Sequence, residues 1–289
     1  MNKTLHIVSP LGVCSGVRRA MNLFDKLAES SSGRPIYVLH ELVHNRTVTE
    51  SMRSRGAIFV NAVSEVPQGS IILLGAHGCP RSVIDECLER NLEIHDATCP
   101  LVRLLQENAK SVPLDTPVIF LGDGHHQEVL GVLDRLKDHQ VHLIESAEEA
   151  ARVPELDQAV FFSQTTRCFT EICAAADLLS KRVRNLDNRA HACDAVMKRQ
   201  TAMREIAGAC QAVIVIGSQN SSNARRLGEI ALEAGCRKII FTEDAKALDT
   251  KELDTISSIG LGTATSAPDN AISEVLERLS QLGFKSEEI

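Results

Sequence analysis

Three of the nine cysteines lie in short polar turns. They are Cys14 in Gly12-Val13-Cys14-Ser15-Gly16, Cys99 in Asp96-Ala97-Thr98-Cys99-Pro100 and Cys193 in His191-Ala192-Cys193, one in each third of the chain. No Cys-x-x-Cys pair exists, which argues against a structural zinc site. Three thiolates from three separate parts of a chain can hold an iron-sulfur cluster and leave one iron open to a substrate. Cys79 sits in a similar turn and competes for the same role. Cys87, Cys168, Cys173 and Cys210 fall within apolar helical stripes and Cys236 follows Gly235, so these five read as core thiols.

A second group of residues suits an anion. Ser221-Ser222-Asn223 follows an apolar run and offers two hydroxyls, an amide and backbone N–H groups, the chemistry that binds phosphate at a helix start. The plainer reading of the same residues, and of Ser266, is helix capping. Ser266-Ala267-Pro268-Asp269 reads as an N-cap with Pro inside the first turn. His44, His77 and His126 stand at comparable points after apolar runs, where imidazoles donate to phosphate or pass protons. A lone histidine is more often a satisfied structural residue, and Glu128, two residues past His126, also fits a plain helix-dipole role. Thr165 lies in the turn Ser163-Gln164-Thr165-Thr166.

The elements that must position these groups repeat as apolar run, polar turn, amphipathic helix. Leu5 to Val8, Ser70 to Leu74, Pro117 to Leu121, Ala159 to Phe162, Val213 to Ile216 and Ile259 to Leu261 read as strands. Val83, Ile84, Cys87 and Leu88 form one helical stripe; Ile272, Val275, Leu276, Leu279 and Leu282 form another that stops at Gly283. The alternation predicts an α/β fold with mostly parallel sheets, in three similar lobes over residues 1–98, 99–190 and 191–289. In such sheets ligands gather beyond the carboxyl ends of the strands, where every polar residue named above falls.

Composition narrows the function. The 289 residues carry a formal net charge of −7, with eight Phe, one Tyr and no Trp, so the basic surface and stacking platform of a nucleic-acid binder are missing. No run approaches the roughly 18 apolar residues of a membrane span, and Met1 to Gly12 lacks a charged leader with a long apolar core. An odd cysteine count fits reduced thiols, and the expected location is the cytoplasm.

Taken together, these motifs resemble the IspH/LytB family, the 4-hydroxy-3-methylbut-2-enyl diphosphate reductases of the non-mevalonate isoprenoid pathway. The resemblance runs nearly end to end. It is carried by Gly12 to Val17 with Arg19-Ala20, His40 to Arg46, Gly75-Ala76-His77-Gly78, Asp96 to Val102, Ser163 to Thr166, Gly217 to Asn223 and Ser266 to Asp269. It implies three α/β lobes in a pseudo-threefold arrangement around a central 4Fe-4S cluster, with Cys14, Cys99 and Cys193 as its three ligands and one iron site open. By the same match His44, His77, Ser221, Ser222, Asn223 and Ser266 hold the diphosphate. His126, Glu128 and Thr165 face the allylic alcohol, and Val17, Val43 and Val102 line the carbon chain. The implied reaction is a two-electron reductive removal of the hydroxyl to isopentenyl and dimethylallyl diphosphates, with Glu128 supplying protons through Thr165. No Gly-x-Gly-x-x-Gly follows a strand, so electrons are expected from an external ferredoxin or flavodoxin.

The chain departs from the family in three places. Val196 stands where a Thr near the substrate is usual, followed by Met197-Lys198; Gln127 stands where Pro is usual; and Arg103-Leu104-Leu105-Gln106 replaces Thr-Lys-Val-His. These departures motivate two alternatives, a diverged relative acting on another anion and a non-catalytic cluster protein that senses oxygen or iron. A dehydratase resembling quinolinate synthase shares the three-lobe, three-cysteine design but not these motifs.

Overall fold

The computed structural model describes residues 3–287. The chain opens with β1 (Lys3–Ile7) and α1 (Ser15–Ser30), then runs through β2 (Ile36–Leu39), α2 (Arg46–Ser54), β3 (Ala57–Val60), β4 (Ile71–Leu74), α3 (Arg81–Glu89) and β5 (Glu93–Asp96). Next come α4 (Pro100–Lys110), β6 (Val118–Leu121), α5 (Gln127–Arg135), β7 (Val141–Ile144), β8 (Leu156–Ser163), α6 (Phe169–Leu179) and β9 (Val183–Asn188). The last third holds α7 (Asp194–Ala207), β10 (Ala212–Ile216), α8 (Ser222–Glu233), β11 (Ile239–Thr242), β12 (Ser258–Thr263), α9 (Asp269–Gln281) and β13 (Phe284–Glu287).

These strands form three sheets, in the orders β3-β2-β4-β5, β7-β6-β8-β9 and β11-β10-β12-β1-β13. All strand pairs among the described residues are parallel, as the strand-turn-helix alternation predicts. The order is the same each time: the second strand lies outside the first, and the third lies on the first strand's other side. The fourth place is taken by β5, by β9 and, in the last sheet, by β1 from the start of the chain. A domain count from consecutive units puts β1 in residues 1–98, but its backbone pairs with β12 and β13.

By internal packing the chain divides into two compact units. One gathers the residues through Arg18, Val43–Met52 and those from Asp194 onward; the other gathers Arg19–Leu42 and Arg53–Cys193. The first holds the five-stranded sheet, whose core includes Ile214, Ile216, Ile259 and Leu261 with Ile272, Val275 and Leu279 of α9. The second holds both four-stranded sheets. One packs Leu39, Ile72 and Leu74 on Cys87 of α3, and the other packs Phe120 and Phe162 on Val129 and Val132 of α5 and Leu105 of α4. The inner strands β4, β6 and β10 are apolar along their length and buried at every residue, the pattern of strands covered on both faces.

Four details differ from the sequence reading. Cys173 is exposed rather than a core thiol, because α6 turns Ile172, Ala175 and Leu179 inward and carries residue 173 onto the outer face. Cys168 and Cys210 are buried as expected but lie outside the helices, Cys168 as the residue before α6 and Cys210 after α7. Leu88 projects outward from α3, and Ser266 does not cap α9, which begins three residues later behind its N-cap Pro268.

Candidate functional site

In the unit that carries both four-stranded sheets, Glu128 is the most unusual side chain. It lies in the first turn of α5, 2% exposed. Its Oε1 accepts the Thr165 backbone N–H at 2.6 Å and its Oε2 accepts the Thr165 hydroxyl at 2.9 Å. Burial pushes its pKa up to about 7, against the downward pull of the two Thr165 hydrogen bonds. A carboxyl in that position is half protonated near neutrality, the condition for a general acid. Thr165 is partly exposed, so its hydroxyl is the polar atom between the buried acid and the surroundings.

His126 caps α5, its Nδ1 accepting the Glu128 backbone N–H at 3.1 Å. The neutral ring therefore carries its proton on Nε2 and presents it as a donor. His77 stands edge-on to it, ring centroids 5.4 Å apart. The turn before His77 requires Gly75, where a Cβ would come 2.9 Å from the Glu41 carbonyl oxygen. Gln164, fully buried, braces the neighbouring turn by accepting the Asp123 N–H and donating to Thr166 Oγ1. Nothing in the residue pattern singles out Gln164 except its place in the Ser163–Thr166 motif.

The five-stranded unit holds the anion candidates. Ser221 is the N-cap of α8, its Oγ accepting the Ala224 N–H at 3.4 Å, so the capping reading holds for that residue. Asn223 differs: it is 2% exposed and neither Oδ1 nor Nδ2 has a hydrogen-bond partner. Leaving both ends of a buried amide unsatisfied costs about 1–3 kcal/mol per group, and a bound anion removes that cost at the Nδ2 donor. Ser222 is the first residue of the same helix and partly exposed. Ser266 donates its hydroxyl to the His44 carbonyl oxygen at 3.1 Å, fixing the turn that carries that imidazole. Asn45, next in sequence, caps α2 through its Oδ1.

The three turn cysteines share one construction. Each is partly exposed and immediately precedes a helix, α1 for Cys14, α4 for Cys99 and α7 for Cys193. Each donates its backbone N–H to a carbonyl just past the third strand of its own sheet: Cys14 to Thr265 (3.0 Å), Cys99 to Ala76 (2.9 Å), Cys193 to Thr165 (2.9 Å). The Val17 N–H also donates to Cys14 Sγ at 3.4 Å. Helix N-termini present free backbone N–H groups and a positive dipole end, so this placement fits an anionic iron-sulfur group. Cys79 does not fit: it is buried, and burial pushes its thiol up to about 12.

Chain connectivity gives the polar residues a shared logic. His44 and His77 follow β2 and β4, Glu128 and Thr165 follow β6 and β8, and Asn223 and Ser266 follow β10 and β12. In each sheet these are the adjacent strands between which the order reverses, where open parallel sheets bind ligands. The cysteines follow the fourth-place strands, β1, β5 and β9.

Of the departures, Val196 is buried in the first turn of α7, where it adds apolar surface and no donor. Gln127 is the first residue of α5, behind a His126 with φ −78° and ψ 136°, a backbone compatible with a following proline. Gln127→Pro is expected to raise stability by about 0.5–1 kcal/mol through the unfolded state. A melting temperature that falls instead would show that Gln127 holds the α5 start in a way proline cannot.

Comparison with known proteins gives one consistent family. The profile described as "LytB protein" matches residues 5–280. The 4-hydroxy-3-methylbut-2-enyl diphosphate reductase of Rhizobium leguminosarum bv. trifolii is 37% identical over 282 residues, covering 95% of this chain and 84% of its own. The reductase of the same name from Histophilus somni is 36% identical over 291 residues, covering 98% and 92%. Among solved structures, the E-1-hydroxy-2-methyl-but-2-enyl-4-diphosphate reductase from Plasmodium falciparum superimposes with a TM-score of 0.89 at 26% identity, over 99% of this chain and 92% of that one.

Proposed function

The chain belongs to the LytB family, and from that membership we propose that it is an oxidoreductase converting 4-hydroxy-3-methylbut-2-enyl diphosphate to isopentenyl and dimethylallyl diphosphates. The overall change takes two electrons and two protons into the allylic alcohol, breaks its C–O bond and releases water. The observation that carries the reading is the buried Glu128–Thr165 pair, a carboxyl held near neutrality with one hydroxyl as its outlet.

The family resemblance and the donor set support Cys14, Cys99 and Cys193 as ligands of a 4Fe-4S cluster. When bound, that cluster supplies a Lewis-acidic iron and the path for electrons. The chain's residues do the rest. His44, His77, Ser221, Ser222, Asn223 and Ser266 bind the diphosphate, with the unsatisfied Asn223 amide as the strongest local argument. The neutral His126 donates from Nε2, its orientation fixed by the Glu128 N–H. Protonated Glu128 donates from Oε2 to Thr165 Oγ1, which passes its own proton outward, while the Thr165 N–H keeps Oε1 in place. No helix among the described residues is long and apolar enough to cross a membrane. An external ferredoxin or flavodoxin in the cytoplasm is the proposed electron source.

The test is anaerobic purification, cluster reconstitution and measurement of substrate consumption with an artificial one-electron reductant. Turnover to the two five-carbon diphosphates is expected. An intact cluster without turnover would overturn the assignment in favour of a diverged relative. Iron and sulfide content should fall sharply in Cys14→Ala, Cys99→Ala and Cys193→Ala and stay at the wild-type level in Cys79→Ala. Loss of iron in Cys79→Ala would overturn the ligand set.

A further inference from the structure

Arg199 is 2% exposed and among the largest fully buried side chains of the protein. It sits on α7, one turn beyond Ala195, whose carbonyl oxygen accepts from one guanidinium nitrogen at 2.7 Å. The other terminal nitrogen donates to the Gly12 carbonyl oxygen at 2.6 Å. Gly12 is therefore gripped from both sides, because its own N–H donates to Thr263 Oγ1 at 3.0 Å. Its lack of a side chain is also needed, since a Cβ would meet Asp269 Oδ1 at 2.8 Å and the backbone has φ +81°. Two residues on, the Cys14 N–H is tied to Thr265. Two residues span at most about 7 Å of chain, so a guanidinium bound to Gly12 stands close to the Cys14 turn.

Holding a carbonyl does not by itself require a buried arginine, since a neutral donor serves that purpose without the desolvation cost of a charge. A cluster with three thiolate ligands carries net negative charge, and reduction adds one more. We propose that Arg199 is a positioning residue that also acts electrostatically, fixing the Cys14 loop through Gly12 and setting the reduction potential of the cluster by placing a permanent positive charge beside it. This rests on the cluster assignment proposed above. An arginine suits the role because it stays protonated at every working pH. At an effective dielectric of about 20, a unit charge roughly 10 Å away is worth enough to move a one-electron equilibrium by about tenfold.

The experiment compares reconstituted wild type with Arg199→Gln, which keeps a donor for the Gly12 carbonyl without the charge, Arg199→Lys, which keeps the charge, and Thr263→Val, which loosens the loop at constant charge. Iron content and the midpoint potential by spectroscopic redox titration are read for each. In Arg199→Gln the ratio of reduced to oxidised cluster at a fixed potential should fall about tenfold, a shift of ~59 mV to the negative side. Arg199→Lys should stay near the wild-type potential, and Thr263→Val should lose cluster faster without a shift. An unchanged midpoint in Arg199→Gln, or an equal shift in Thr263→Val, would overturn the electrostatic role and leave a structural one. If Arg199→Gln gives no folded protein, an Arg199→Lys midpoint displaced by the same ~59 mV to the negative side, although the charge is kept, overturns it too. Wild type that takes up no iron and sulfide would instead overturn the cluster assignment.

Discussion

Glu128→Gln is expected to lower kcat by about 10²–10⁴-fold while leaving cluster absorbance and substrate affinity unchanged. Gln has the same shape and can still accept the Thr165 N–H through Oε1, so the fold of the turn is kept. What it lacks is the titrating proton. In wild type, kcat should fall with pH above about 7, as the acid form is lost. The same group makes a second, independent prediction. Its folded pKa of about 7 lies above the ordinary value of 4.5, so the folded state binds the proton more tightly than the unfolded chain. The resulting stabilisation is complete below pH 4.5 and is lost as pH rises through about 7, up to about 3 kcal/mol in all. The melting temperature of Glu128→Gln relative to wild type should therefore climb between about pH 4.5 and pH 7 and level off above that. Near-normal turnover in the variant would remove Glu128 from the proton path, and a constant melting difference would show that its carboxyl does not titrate in this range.

Asn223 and Ser221 should separate cleanly, although they sit two residues apart on the same helix start. Ser221→Ala removes the N-cap of α8 and is expected to cost about 1 kcal/mol of stability. Asn223→Ala removes two buried groups that have no partner, so stability should hold or rise. Substrate affinity should respond in the opposite order. Hydrogen bonds to a charged group are worth about 1.5–3 kcal/mol, so Asn223→Ala should weaken binding by about 10–150-fold. Isothermal titration with the substrate or with inorganic diphosphate, beside thermal melts of the same samples, reads both quantities. Unchanged affinity in Asn223→Ala would mean that its amide serves the fold alone.

Much of this was legible in the residues. Most inner strands announced themselves because burial on both faces forces unbroken apolar runs, as in Ile71–Leu74 and Val213–Ile216, but the inner strand Ile36–Leu39 was not among the runs read as strands. The edge strands did not: Glu93–Asp96 and Val183–Asn188 carry charged and polar residues along a partly exposed ladder and were not among the runs read as strands. The placement of β1 was also hidden, since pairing with a strand 254 residues away leaves no local trace. Turn position singled out Cys14, Cys99 and Cys193, but only burial separated Cys79 from them. Hydrogen bonding separated Asn223 from Ser221, both buried, which local pattern treats alike. Arg199 was invisible, because a basic residue in a mixed helical segment looks like surface until its carbonyl partners are seen.

The borrowed fourth strand has a consequence in time. The turns carrying Cys99 and Cys193 are tied to residues made earlier, Ala76 and Thr165, so each can close as soon as its cysteine leaves the ribosome. Cys14 is made first and waits for Arg199, Thr263 and Thr265. At about 5–20 residues per second, the 251 positions from Gly12 to Thr263 amount to about 10–50 s of synthesis. Through that interval the earliest of the three thiols lacks its full set of anchors. A cluster held by all three thiols, as proposed above, would thus load onto the finished chain, since a nascent chain stopped short of Thr263 can close two of the cysteine turns but not the third.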